Sequence, residues 1–451
     1  MRTRALSRGI VLAATVAIIA SACSSGASVS PSSAAVAPSS AAASPSSAAV
    51  APSSAAASPS TAPQPVTLTM WVHTDPNYMA VAKANAADYQ KATGNTINIS
   101  YVPWDQYGAK IVAAFASGSQ PDIIQGVASW LYPQKIGGQL SEVPADMAST
   151  ISDTAPASLA PVEFNGKYYG IPLNVNIDSG PFIIYNVDAF KAAGVTPQWS
   201  TWDNMVADLQ KLTVTSGSTM KRSGVEMAGA DPVTQFLLYF LRAGGTFYSA
   251  DKKSVQIANQ YGQTALQTMY DLLHTAKVDS TSLTDYEGIA SGTAASVLWG
   301  PWYTALLNHD FPGFKWGWAK MPPSPGQTTE AFAGTNVWAW MVPSSSKNSQ
   351  AAWDYIRWLS QSDRRTAWSV QTGEIPAVQS LWTNPQIAND PRWAPWFPVL
   401  KDQVPLLYIG PQDPQYKSLT DMVMGVLLGT SAIPAALQTA QDQLNKIVSG
   451  Q

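Results

Sequence analysis

Cysteine is almost absent from this chain: Cys23 is the only one among 451 residues. No internal disulfide can form, and no paired-thiol metal or redox site can be assembled. Histidine is scarce as well. His73, His274 and His309 are scattered, no His-Glu-x-x-His occurs, and the sequence therefore assigns no metal site. A Gly-x-Ser-x-Gly elbow and a phosphate-cradling glycine loop are also missing, so no catalytic residue and no cofactor is assigned. Charge is sparse, at 12% of residues, and removing Arg2, Arg4 and Arg8 from the 26 basic residues leaves 23 against 29 acidic ones. That balance excludes nucleic acid or an anionic surface as the main partner. Beyond the first residues no apolar run is long enough to span a bilayer; Phe236 to Leu241, flanked by Asp231 and Arg242, reads as core.

What is present begins with address and tether. Arg2, Arg4 and Arg8 precede an apolar stretch from Gly9 to Ala20, too short for a membrane span and suited to a secretory signal over residues 1–22. Cys23 follows Ala20-Ser21-Ala22 directly and resembles the lipid-acceptor cysteine of bacterial lipoproteins, with Ala20 where that box usually carries Leu. Ala20-x-Ala22 also suits an ordinary signal peptidase, which would release a soluble protein. Residues 24–65 hold no charged and no aromatic residue and repeat a seven-residue unit from Pro31, Pro38, Pro45, Pro52 and Pro59. Such a Ser/Ala/Pro segment cannot bury enough apolar surface to offset chain entropy, and it predicts a disordered linker spanning roughly 35 to 40 Å.

From Val66 onward charges, aromatics and alternating apolar residues appear together, over a length that favours two domains. The alternation in Val66 to Val72 predicts a strand, residues 77–92 a helix stopped near Gly94, Thr96 to Val102 a second strand, residues 105–117 a helix, and Asp122-Ile-Ile a third strand. This order predicts α/β architecture with a parallel sheet and with ligand-binding loops at the strands' C-terminal ends. Phe182 to Tyr185 opens a second unit. Further helices are predicted at 202–213, 231–243, 257–274, 348–360, 363–371, 415–427 and 432–448.

Several segments, in order and spacing, resemble the extracellular solute-binding proteins of sugar-type ABC importers, the family that includes maltose-binding protein. They are Leu68-Thr-Met-Trp71, Ala116-Ser-Gly-Ser-Gln-Pro-Asp-Ile123, Gly166-Lys-Tyr-Tyr-Gly-Ile-Pro-Leu173 with Ile184-Tyr-Asn186, Trp199-x-x-Trp202, Trp299-Gly-Pro-Trp302, Ala331-Phe-Ala-Gly-Thr-Asn336, Gly373-Glu-Ile-Pro376 and Leu428-Gly-Thr-Ser431. The resemblance implies a two-lobed periplasmic-binding-protein-like α/β fold with a hinge and an interlobe cleft. The lobes would be 66–174 with 336–382 and 177–333 with 383–451, crossing near Asn174 to Asn176, at Gly334-Thr335, and after Trp382. It further implies a monomeric, lipid-anchored protein on the outer side of the cell membrane. Such a protein captures a mono- or oligosaccharide and delivers it to an ABC permease, without catalysis.

Indole faces suit the C–H faces of pyranoses, while carboxylates and amides suit their hydroxyls. Trp302 matches the family's cleft-facing position. Trp130, Trp382 and Trp396 are read as either ligand-stacking or core; Trp338, Trp340, Trp353 and Trp358 read as core from their periodicity. His73, Thr74 and Asp75 follow the first strand, where Asp75 either meets hydroxyls or caps the next helix. Gln125 and Ser129 lie just past the third strand, and Asn174, Asn176 and Asp178 on the first crossing. Gly334 and Asn336 mark the second. Asp122 reads as a turn residue. Two alternatives stand beside the sugar reading: a non-sugar solute such as a peptide or a polyamine, the latter needing several cleft carboxylates where the candidate loops offer more amides and indoles than acids, and a secreted polysaccharide hydrolase using a pair such as Asp75 with Asp178.

Overall fold

A computed structural model describes residues 64–450 apart from 230, 284–286, 407–408 and 410–411. The signal segment, Cys23 and nearly all of the linker lie outside the described residues.

Strand Thr67–His73 buries Leu68, Met70 and Val72 on one face and Trp71 on the other, and pairs in parallel with Thr96–Val102 on one side and Ile123–Val127 on the other. The helix between the first two strands, Pro76–Thr93, begins where the Asp75 carboxylate accepts from the N–H groups of Asn77 (2.7 Å) and Tyr78 (3.2 Å). It ends at Gly94, whose φ of 80° is a left-handed cap that favours glycine. Helix Trp104–Ser117 returns the chain to the third strand. The sheet is not wholly parallel. Trp338–Met341, arriving from far along the chain, pairs antiparallel with Ile123–Val127, and Ile171–Pro172 pairs antiparallel with it in turn. Strand and helix patterning is local; the choice of a distant antiparallel neighbour is not.

The second unit is built on an antiparallel three-stranded sheet, with Phe182–Asn186 between Ser296–Val297 and Trp316–Lys320. Helices Pro232–Arg242, Gln260–Tyr270, Gln412–Leu427 and Ile433–Ser449 enclose its core. Phe236 to Leu241 are all buried there, and among the described residues no helix is long and apolar enough to cross a membrane.

Two large hydrophobic cores result, with a third, small cluster around Ile184, Val297 and Tyr303. One joins most buried apolar residues of 68–173 to those of 338–368; the other takes in Ala155, runs from Val175 through Ala333 and resumes at Ile375. Core membership thus changes between Leu173 and Val175, between Ala333 and Trp338, and between Trp368 and Ile375. The last change lies upstream of Trp382, after which the sequence reading places it. The short antiparallel pairing of Ile375 with Val175 explains why, since it draws two crossing segments together side by side.

Candidate functional site

A cavity of about 860 Å³ lies where the crossings meet the strand ends and the helices of the second core. His73 and Asp75, at the C-terminal end of the first strand, open its first wall. Behind them rings pack on rings: His73 to Trp338 at 5.4 Å, His73 to Trp104 at 5.8 Å, Trp104 to Trp130 at 4.8 Å and Tyr78 to Trp338 at 5.1 Å between centroids. Burial lowers the pKa of His73 to about 4, so the imidazole is neutral at physiological pH.

The opposite wall carries Trp299 and Trp302, edge to face at 5.0 Å. Their turn depends on Gly300, where a Cβ would fall 1.6 Å from the Ile177 carbonyl oxygen; only glycine lets the two segments approach. Asp231, capping helix Pro232–Arg242, and Gln412, Asp413, Tyr416 and Lys417 of helix Gln412–Leu427 complete this side. The walls touch. The Ser129 hydroxyl donates to Gln412 Oε1, and Gln412 Nε2 donates to Asn336 Oδ1 at 3.1 Å.

The crossings supply the most buried polar groups. Asp178 accepts from the Thr335 hydroxyl, from Asn336 Nδ2 at 2.9 Å and from Asn176 Nδ2 at 3.2 Å. Glu374 accepts from the Tyr78 hydroxyl at 2.8 Å and from Asn174 Nδ2 at 2.9 Å. Burial pushes each carboxyl up to about 7, against the hydrogen bonds that favour its charged form. Asp75 is also raised, chiefly by burial, despite its two backbone donors.

Of the residues expected from sequence, His73, Asp75, Asn176, Asp178, Trp302 and Asn336 converge on this cavity, and Trp130, read as either stacking or core, also lines it. Asp75 both caps its helix and faces the cavity. Ser129 and Asn174 hydrogen-bond behind it without lining it, and five others also lie off it. Thr74 follows the strand, its N–H bonded to the Val102 carbonyl at 3.2 Å. Gln125 is buried in the sheet opposite Trp340. Gly334 sits in a strand where a Cβ would meet Gln403 Nε2 at 2.5 Å. Trp382 donates to the Pro376 carbonyl at 2.9 Å and packs on Phe397. Trp396 is completely buried in the second core against Phe182, because the proline-rich segment folds back as short turns instead of opening toward the cleft. Asp122 lies off the cavity, but instead of closing a local turn it ties distant segments together, accepting from the Thr69 N–H at 2.8 Å and the Ser346 hydroxyl at 2.7 Å. Sequence reasoning misses Glu374, Tyr78, Trp104, Asp231 and the Gln412–Lys417 edge. Glu374 stands inside a segment already singled out, but Asp231 signals only a helix start, and Trp338 reads as core because its strand periodicity hides the end that faces the cavity. Among the described residues no group of His, Cys, Asp and Glu is arranged to hold a metal ion.

The family model for bacterial extracellular solute-binding proteins matches residues 74–363. The chain belongs to that family. Among its relatives, the binding protein is 25% identical over 383 residues to a maltooligosaccharide ABC transporter solute-binding lipoprotein of Streptococcus pneumoniae, covering 78% of this chain and 84% of that one. Its fold is similar to that of the GacH receptor of Streptomyces glaucescens, solved unliganded and with acarbose, with a TM-score of 0.74, 21% identity, and 85% and 98% of the two chains covered. It is also similar to an α-D-tagatose-bound ABC transporter solute-binding protein of Thermotoga lettingae, with a TM-score of 0.71, 22% identity, and coverage of 85% and 99%. These likenesses establish the two-lobed α/β binding-protein fold.

Proposed function

We propose that this protein captures a mono- or oligosaccharide outside the cell, closes its lobes on it, and presents it to an ABC import permease. The observation that carries the reading is the cleft itself: about 860 Å³ walled on both sides by indoles, with amides and carboxylates converging from the crossings. Indoles take the apolar faces of sugar rings and the polar groups take the hydroxyls, a division that suits a polyhydroxylated ligand. The maltooligosaccharide-binding relative and the sugar-bound structural neighbours support the same ligand class. His73, Asp75, Asn176, Asp178, Trp302 and Asn336 are the proposed contacts, joined by Glu374, Trp299 and Trp338. The mature protein acts without catalysis, as a monomer, held at the membrane through acylated Cys23.

A thermal-shift screen against mono- and oligosaccharides tests the reading, since a ligand at 100 times its Kd adds about 2.7 kcal/mol. A shift with at least one saccharide is expected; none across the panel sinks the proposal. For the anchor, Cys23→Ser should move the protein from membranes to the medium with binding unchanged, and continued membrane fractionation would refute acylation.

A further inference from the structure

The two lobes touch on both flanks of the cleft. On one flank helix Trp104–Ser117 meets helix Gln412–Leu427 so closely that a Cβ on Gly108 would lie 3.0 Å from Asp413 Oδ2, next to the hydrogen bond from Ser129 to Gln412. On the other, Gly373, which ends helix Ser362–Thr372 at a φ of 77°, abuts helix Trp302–Asp310, where its Cβ would lie 2.6 Å from that of Ala305. Contacts between the walls therefore set the width of the cleft, and the space between them measures the ligand. That space is about 860 Å³. A pyranose unit has eleven heavy atoms and fills about 170 Å³ if each takes half of a water molecule's share of the liquid, roughly 30 Å³. One ring would leave most of the cavity to water.

The length of the cavity agrees with its volume. Gln412, which bonds Asn336 on the crossing, and Thr420 both line it. They lie on one helix, and the eight positions between them (420 − 412) amount to a rise of about 12 Å. A pyranose ring built from bonds of about 1.5 Å spans roughly 5 Å with its hydroxyls, so the wall is more than two rings long. The rim adds an independent sign. Trp104 stands in the cavity wall on the first turn of its helix and is 47% exposed, the only tryptophan left so open among the described residues. Contacts to His73 at 5.8 Å, Trp130 at 4.8 Å and Trp338 at 5.9 Å between centroids nevertheless hold its ring in place. An indole that is both fixed and open to water at the rim is a platform for a sugar ring beyond those at the crossings.

We propose that the ligand is an oligosaccharide of three to four pyranose rings, lying lengthwise from the crossings to the rim with its outermost ring on Trp104. This rests on the sugar reading and fixes the chain length that the reading leaves open. Calorimetry with the mature protein tests it, using malto-, cello- and xylo-oligosaccharides of about one to six units, a span that brackets the cavity. In the series that binds, affinity should climb about tenfold or more from the monosaccharide to the trisaccharide and level off by the tetrasaccharide. Trp104→Ala should weaken the trisaccharide about tenfold and the disaccharide less, as the loss of an aromatic contact to the outer ring alone would produce. Trp104→Phe, which keeps a ring at the rim, should restore most of that loss. Thr420→Trp, which fills the outer end of the cavity, should erase the gain from the third ring. A monosaccharide that binds as tightly as its longer homologues, or a change in Trp104→Ala that is the same at every length, overturns this inference and leaves the sugar reading standing. Failure of every saccharide, whatever its length, overturns both.

Discussion

On the first side of the cleft His73, Tyr78, Trp104, Trp130 and Trp338 hold one another ring against ring, and the sheet holds them from below. On the second side Trp299 and Trp302 stand on a single turn around Gly300, backed by a small cluster of Ile184, Val297, Tyr303 and Leu307. The first wall is therefore part of a core, while the second is a graft upon one. Trp396 belongs to the same second lobe as Trp302, yet it is sealed inside, with no face left for a ligand. Two tryptophans of one lobe thus differ in what their removal should disturb: packing for one, recognition for the other.

The largest effect should come from breaking the core side of this comparison. Trp396→Ala is expected to cost about 3 to 5 kcal/mol of stability, as for other truncated core aromatics, while affinity measured on the surviving folded protein changes little. Denaturant unfolding and calorimetry on the same samples check both halves. Trp302→Ala should show the opposite signature, weakening ligand by roughly thirtyfold, near 2 kcal/mol, with a smaller loss of stability. If Trp302→Ala instead unfolds the protein like Trp396→Ala and spares affinity, Trp302 is a core residue and the second wall has been misassigned.

The smallest effect concerns the crossings. Burial raises the carboxyl of Glu374 to about 7 in the folded chain from an ordinary 4.5, so the native state holds its proton more tightly than the unfolded state does. The stabilisation from that proton is full below the unfolded value and is lost as pH rises through about 7. Glu374→Gln, which cannot ionise, should gain on the wild type by about 1 to 2 kcal/mol as pH is raised across that window. Urea unfolding of the two apo proteins across the range measures it, and a pH-independent difference would mean that Glu374 is ionised at the cleft throughout.

The individual elements were legible because their causes are local. Asp75-Pro76 and Gly94 bound a helix by capping and by a left-handed glycine, and the alternation of Thr67–His73 marks one buried face. Loops at strand ends could likewise be read as site candidates, and His73 and Asp75 do face the cavity. Trp382 and Trp396 show where this fails. Both stand among prolines in a segment that reads as loop, and nothing nearby in sequence says whether such a loop folds over the cleft or back into the core. Glu374 fails differently: its importance comes from Tyr78 and Asn174, which lie 296 and 200 positions away.

Sequence alone determined the first strands and most of the long helices, because propensity, capping and periodicity act over a few residues, and its motifs by their resemblance implied the two-lobed family; the helix Trp302–Asp310 that carries Trp302 was not read from it. Only the tertiary structure decided that Trp338–Met341 joins the first sheet antiparallel, that Trp396 is core, and that Asp178 and Glu374 face one cavity. Those outcomes depend on which distant surfaces exclude water from one another, and burial, the quantity that sets both packing and the state of a carboxyl group, exists only after the crossings have brought the two cores together.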